Sequence, residues 1–548
     1  MKKLLSLPLI TFLSFSIMSC NSNNSNENKA SNDESLSSLL SEDISKESSS
    51  DVTEITIKPG YVKYELKEPL KRKTEGLGAQ FDTCILDKYN NQITDFEVIK
   101  NAVKMSNLQA VRIRFYPEMY ERRNDNNDPS FFDYNSENVD FNSIEMNYLY
   151  KLLDLFEQEH VNVDLSWYGC RTTFESEDGK IKGSWMGGNF GDEGINGWMV
   201  APSSKYVNNP EDEYAESVAA CLNYLINEKK YTCLYEYSIF PEPEGVIQSL
   251  DMYKNIALKI KQNLKKYNIE NKIKFSGPAD YGNSPTNLEN KYLSLGVNYD
   301  KVDSSVYCFH GDTNIRGEKV TPSSNKDMYE FAKNHVEVCD KYNVSWGVAE
   351  CGTSNFLTPV TNSDTEIYDR AITMTRFFIN LTNAGCTNIK YFIFADCSYD
   401  GTVNQEGLFR FDKSYYADSK ISYQAKPIWY AWSLLMRYSD IGSEIYPITD
   451  NYENMDNDLC AVALHLPDNS WTYAIANIGN EAKKIAIVNE FSKDIKMMKQ
   501  FRLTGSSIPY DEEATLKLLD PDDNIDASGN VAHVKVPANG IIILSNKE

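Results

Sequence analysis

From residue 76 onward, apolar runs of strand length alternate with longer stretches whose apolar positions recur at helical spacing. The runs Gly76–Thr83, Ala110–Pro117, Val161–Tyr168, Tyr231–Pro241, Lys272–Asp280, Ser304–His310, Val344–Glu350 and Ile389–Asp396 predict eight strands. Helical periodicity is predicted over Thr94–Met105, Ile144–His160, Asp212–Lys229, Ile247–Tyr267, Lys326–Tyr342 and Glu366–Ala384, and over Pro427–Tyr438 after the last strand. Strands separated by helices in this way predict a parallel sheet closed into a (β/α)8 TIM barrel across residues 75–438, with its chemistry at the C-terminal ends of the strands.

Alternation within the strands says which side chains enter the barrel. In the second strand Arg112, Arg114 and Tyr116 share one side, opposite Val111, Ile113 and Phe115. A helix covers the apolar side, so the arginines face inward, where buried guanidinium groups require carboxylate partners. The third strand places Asn162, Asp164, Ser166 and Tyr168 together, and the fourth Glu236, Ser238, Phe240 and Glu242. The long Gly- and Trp-containing segment from Gly169 to about Asn208 has no clear period, and such a loop lines or covers a site.

Outside the barrel the pattern changes. Residues 52–74 read as a strand segment packing outside the barrel. From residue 439 to 548, runs such as Cys460–Leu466, Ser470–Ala476, Lys484–Val488 and Gly540–Ser545 alternate with turn residues and predict an antiparallel β-sandwich. Residues 1–20 carry Lys2 and Lys3, an apolar stretch from Leu4 to Ile17, and the run Ile17-Met-Ser-Cys20. That run resembles bacterial lipoprotein signals, which implies lipidation at Cys20 and anchoring in the cell envelope, periplasmic or surface-exposed, while the Asn, Ser and Glu composition of residues 21–51 predicts a flexible tether.

The formal charge of −24 argues against nucleic acid as a partner, without identifying any substrate. Eleven cysteines and five histidines show no metal-ligand spacing, so neither metal nor cofactor is expected, and the cysteines on predicted elements read as core thiols. The Asp-rich turn Asp520–Asp526 reads as solvated acids, with calcium binding the alternative. A monomer is the expectation.

Two glutamates stand out. Glu242, in Phe240-Pro-Glu-Pro243, ends the fourth strand, and Glu350, in Val348-Ala-Glu-Cys351, ends the seventh. Two carboxylates across one cleft are the equipment for cleaving a glycosidic bond. In this arrangement the chain resembles the clan of retaining glycoside hydrolases on (β/α)8 barrels, which includes cellulases, β-xylosidases and α-iduronidases. The resemblance covers roughly residues 75–545. It implies that Glu242 is the acid/base and Glu350 the nucleophile, that Arg114 braces Glu350, and that His310 lines the cleft. Ser276-Gly-Pro-Ala279 looks like a segment of the β-xylosidase and α-iduronidase branch, which often carries a β-sandwich. The substrate implied is neutral oligo- or polysaccharide with β linkages.

Two departures accompany the resemblance. The clan carries Asn immediately before the acid/base, where this chain has Pro241, and its strand-six tyrosine is not evident beside His310, where Asp312 stands nearby. Arg112 is expected deeper in the barrel with a different acid. Asp82, Asp164, Glu236, Asp280, Asp312 and Asp396 are candidates for binding hydroxyls or balancing arginines, and Trp167, Tyr168, Trp185, Trp198 and Trp346 for stacking on sugar faces. Glu244 is the rival to Glu242. A non-catalytic glycan-binding lipoprotein on the same barrel is the alternative function, and an inverting hydrolase or lyase a third.

Overall fold

The computed structural model describes residues 55–81, 96–171, 199–200, 202, 204, 207–243, 247, 249–280, 284–307, 324–352, 364–399, 402–404, 406–409, 425–448, 458–492, 495–507 and 516–548. Eight parallel strands form the central sheet: β1 (Gly76–Phe81), β2 (Ala110–Phe115), β3 (Asn162–Trp167), β4 (Leu234–Ile239), β5 (Lys274–Phe275), β6 (Lys301–Tyr307), β7 (Ser345–Gly352) and β8 (Asn388–Tyr391). Their order is β5-β4-β3-β2-β1-β8-β7-β6. Parallel bridges Ser276–Lys301 and Asp280–Ser304 join β5 to β6 and close the ring. This is the (β/α)8 barrel that the alternating pattern predicts.

Helices α1 (Phe96–Ser106), α2 (Ile144–Gln158), α3 (Pro210–Asn223), α4 (Leu250–Lys266), α5 (Asn325–Lys341), α6 (Asp364–Ala384) and α7 (Pro427–Arg437) accompany the strands. Between β5 and β6 the described residues form short helical turns, over Pro285–Leu295. Serine caps fix several helix starts: Ser143 accepts from the Met146 amide, Ser249 from Met252, and Ser324 with Asp327 forms a capping box. Outward strand residues Val111, Ile113, Phe115, Val163, Leu165 and Trp167 join the helices' apolar faces in one buried layer. Cys221, Cys233, Cys339, Cys351, Cys386 and Cys460 are buried free thiols, as core packing predicts.

The second domain is β-rich. One antiparallel sheet runs β9 (Glu444–Pro447), β10 (Leu459–His465), β11 (Trp471–Asn477), then β16 (Gly540–Ser545), β13 (Met497–Thr504) and β14 (Asp523–Asp526). The other pairs β12 (Lys483–Val488) with β15 (Val531–Val536) and, in parallel, with Val62–Glu65. The N-terminal strand Val62–Glu65 is thus part of the second domain's sheet. Apolar side chains from both sheets form a separate core containing Trp471, Tyr473, Ile475, Ile487, Val534 and Ile542. The domain docks on α6 and α7: Asn383 donates to the Ala461 carbonyl at 2.8 Å, Tyr368 to Asn539 at 2.8 Å, and Tyr438 packs on Phe501. Among the described residues no helix is long and apolar enough to cross a membrane.

Candidate active site

Glu350 sits near the end of β7 and its direction depends on a bulge. Gly347 faces the barrel interior, since a Cβ there would meet Asp303 Oδ1 at 2.7 Å. Strict alternation from Gly347 would turn Glu350 outward. The register against β6 shifts between Val348, paired with Ser304, and Glu350, paired with Ser305. One extra residue in β7 thus re-aims the glutamate into the barrel, as bulges near active sites do.

Inside, Arg112 and Tyr168 are among the groups that hold the Glu350 carboxylate. Arg112 Nη1 donates to Oε1 at 2.6 Å, and the Tyr168 hydroxyl donates to the same oxygen. Burial pushes the Tyr168 pKa well above its ordinary value, with Glu350 adding and the two arginines opposing, so the phenol keeps the proton it donates. Burial alone would lower the Arg112 pKa, but Tyr168, Glu350, Asp164 and Asp303 raise it overall, so the guanidinium stays charged. Arg112 is fully buried, and its Nε also lies 3.8 Å from Asp164. The Arg114 guanidinium lies over the Tyr168 ring, 4.3 Å from its centre.

The expectation for Arg112 is corrected here. It does not lie apart with a different acid alone; it is a direct donor to Glu350. An arginine side chain spans about the 6.6 Å that separates alternate residues on a strand, so side-chain reach decides which arginine meets a given acid. Tyr168 is also corrected, from sugar stacking to support of Glu350: it is buried at the end of β3.

Glu242 follows β4 in a turn rather than within the strand. The strand ends at Ile239, and both Phe240 (φ 47°) and Glu242 (φ 53°) adopt left-handed backbone. Each costs roughly 1–2 kcal/mol for a side chain of this kind, and such outliers cluster at functional sites. The Glu242 amide donates to the Ala279 carbonyl at 2.9 Å, tying the turn to the segment after β5. The glutamate is half-buried. Phe240 leaves the inward row that alternation assigns it and stacks on Tyr214 of α3, ring centres 5.0 Å apart.

Below these groups the barrel is filled by ions. Lys301 Nζ lies 2.9 Å from each oxygen of Glu236 and 3.5 Å from Asp303. Lys390 lies 3.4 Å from Asp164, 3.5 Å from Glu236 and 3.7 Å from Asp303. Burial opposes ionisation of Glu236, but the lysines outweigh it and hold its pKa down at about 2. Asp164, Glu236 and Asp303 approach one another closely enough to hold a metal, yet lysine ammonium groups already lie among them. They form a charged floor that fixes Arg112.

The other candidates separate by the direction they face. Asp280 accepts from Ser304 at 2.8 Å across the closing seam. Asp396 accepts from Lys426 at 2.5 Å and from the Gly407 amide at 2.8 Å, a structural arrangement. Trp167 and Trp346 are corrected: both are buried and point away from the cleft. Trp167 packs edge-on against Phe115, and Trp346 stacks on His335 of α5 while donating to Ser304 at 3.1 Å. Even-and-odd counting cannot rank aromatic residues, because the helix-facing layer needs them too. Cys20, Asp82, Trp185, Trp198, His310 and Asp312 lie outside the described residues. The Gln80 amide oxygen, missed in the sequence, lies 3.4 Å from both Arg112 and Tyr168. Its inward parity on β1 was the available signal.

No protein-family model matches the chain, and no curated protein matches it significantly. Solved structures do match. A glycoside hydrolase family 30 subfamily 8 xylanase from Clostridium acetobutylicum aligns over 88% of this chain and 98% of its own, at 12% identity and TM-score 0.55. The catalytic domain of a family 30 xylanase from Talaromyces cellulolyticus aligns over 89% and 100%, at 10% identity and TM-score 0.58. A conserved exported protein from Bacteroides fragilis aligns over 88% and 99%, at 10% identity and TM-score 0.61. At these identities the likeness establishes the fold alone: a (β/α)8 barrel with an additional β-rich domain.

Proposed function

We propose that the chain is a retaining glycoside hydrolase that cleaves β-glycosidic bonds in neutral oligo- or polysaccharide. The observation that carries the reading is the Glu350 carboxylate, bulged into the barrel and held by Arg112 and Tyr168, with Glu242 presented at the end of β4. Glu242 delivers a proton to the glycosidic oxygen as Glu350 attacks the anomeric carbon, and the aglycone leaves as an alcohol. Glu242 then takes a proton from water, whose oxygen attacks the same carbon. The bond to Glu350 breaks and its electron pair returns to the carboxylate. The donors from Arg112 and Tyr168 strengthen as that charge reappears.

The site's own chemistry supports hydrolysis without fixing the sugar. A panel of chromogenic β-glucosides, β-xylosides, β-mannosides and β-galactosides tests the reading, with E242Q and E350Q as controls. Turnover of at least one glycoside, lost in E350Q and strongly reduced in E242Q, is expected. Full activity in folded E350Q would overturn the assignment. Pro241 favours the second reading, glycan binding without turnover, because proline offers no side-chain donor to the sugar; affinity for glycans with no cleavage in the same panel would support it. The lipoprotein-like run ending at Cys20 leads us to propose anchoring in the cell envelope, which mass spectrometry of the mature N-terminus checks.

A further inference from the structure

A second group of acids lies outside the barrel interior, where the segment after β2 meets α3. Asp125, Glu213 and Glu216 bring carboxylate oxygens within 4.8 Å of one another. Glu213 and Glu216 stand three apart on α3 and so share a face. Their exposures are only 1% and 3%, and that of Asp125 is 8%. Among the described residues, both oxygens of Glu213, both of Glu216, and Oδ1 of Asp125 are shut off from solvent and make no hydrogen bond of good geometry, though the Asn124 side chain lies beside Glu213. The second Asp125 oxygen accepts from the Asp133 amide and from Asn126 at 3.0 Å, which orients the carboxylate.

Two buried glutamates with no ion pair among the described residues, and only the Asn124 side chain beside Glu213, run against the rule that buried charges are paired or coordinate a metal. The contrast with the barrel floor is direct. There, three clustered acids have Lys301 and Lys390 between them. Here the cations do not pair with the acids: Arg122 lies 3.6 Å from Glu145, Lys259 lies 2.6 Å from Asp212, and Lys266 acts on Glu216 more weakly than burial and the neighbouring acids do. Further acids add to the excess, since Glu121 is buried and accepts the Asp125 amide at 3.2 Å.

We propose that Asp125, Glu213 and Glu216 form a binding site for one divalent hard cation, calcium, that fastens the β2–α2 segment to α3. Three carboxylates offer oxygen ligands only, and an all-oxygen set with several negative charges suits calcium, which takes six to eight oxygens in flexible geometry. Backbone carbonyls and water complete such a shell. The loop that supplies Asp125 is rich in short polar residues, Asn124-Asp-Asn-Asn-Asp128, and Asn127 is left-handed at φ 86°. Both partners already dock beside the acids: Tyr120 shares a hydrogen bond with Ser217 at 3.0 Å, and Tyr134 donates to the Ala220 carbonyl at 3.1 Å. The site has no local motif because its ligands come from distant segments.

Burial first, and then the neighbouring acids, push Glu216 up to about 9, and burial, partly offset by Asn124, pushes Glu213 up to about 7, so without a cation Glu216 holds its proton at neutral pH and Glu213 is divided between its two forms. The test uses the full chain, stripped with a chelator and then titrated with calcium chloride. About one tightly bound calcium per chain by elemental analysis is expected. A rise of several degrees in melting temperature should accompany it, and both should vanish in E213Q/E216Q. That variant removes charge without removing volume and should fold at least as stably as stripped wild type. If it does not fold, D125N replaces it, with at least a tenfold weakening of calcium binding expected. Stripped wild type that neither binds calcium nor gains melting temperature would overturn the proposal, as would an unchanged response in folded E213Q/E216Q.

Discussion

Replacing Tyr168 by phenylalanine isolates one bond at the candidate nucleophile. The change deletes a hydroxyl and keeps the ring that lies under Arg114 at 4.3 Å, so packing is nearly conserved. Arg112 still donates to Glu350 at 2.6 Å, leaving the carboxylate paired. A buried hydrogen bond to a charged group contributes roughly 1.5–3 kcal/mol. Its effect falls unequally on the two chemical steps. Attack by Glu350 disperses the carboxylate charge, so the lost donor hinders that step little. Release of the glycosyl group regenerates the charge, and the missing donor slows it by roughly 10- to 100-fold at 1.36 kcal/mol per decade. Rapid-quench kinetics with an activated aryl glycoside should therefore show a burst of aglycone about equal to the enzyme concentration, followed by slow turnover. Steady-state kcat should fall far more than kcat/KM. Unchanged kcat in a folded Y168F protein would refute this reasoning. A change confined to KM would restore the sugar-stacking role.

Two further outcomes follow from the same contacts. Trp346 packs between β7 and α5, so W346A should lose roughly 3–5 kcal/mol in chemical denaturation, while KM in the folded fraction stays within about twofold; a large KM increase without lost stability would return Trp346 to the cleft. The chelated protein should lose stability as pH rises. Glu213 and Glu216 have folded values of about 7 and 9 against an ordinary 4.5, so the native state holds more protons across that window and stability falls with pH through it. Asp125 and Asp128 add to the repulsion at Glu216 and Lys266 opposes it. Melting curves at pH 5, 7 and 9 check this, and calcium should flatten the decline.

The barrel was legible because its signal repeats: eight apolar runs, each flanked by polar breaks, leave few other arrangements. Inward parity found Arg112, Arg114, Asp164 and Glu236 correctly, since alternation holds through the middle of a strand. It failed where strands end or bulge. Phe240 escapes its row because the backbone turns left-handed there, and Glu350 reaches the interior because β7 gains a residue. The pairing of Arg112 with Glu350 depends on side-chain reach across the barrel, which no local pattern encodes. Trp167 and Trp346 misled because apolar aromatics fill the helix-facing layer as readily as they line a cleft. The carboxylates of Asp125, Glu213 and Glu216 were invisible for a related reason: their proximity is tertiary.

The central claim is that Glu350 forms a covalent bond to the sugar. It is tested most directly with the 2-deoxy-2-fluoro derivative of whichever glycoside the panel shows to be turned over, activated by a good leaving group. The fluorine slows both steps, but the leaving group keeps the first fast, so the glycosyl-enzyme accumulates. Intact mass followed by peptide sequencing should show one added glycosyl group per chain, on Glu350, absent from E350Q. A glycoside that is cleaved while its fluorinated form leaves Glu350 unmodified and modifies a different carboxylate would contradict the account.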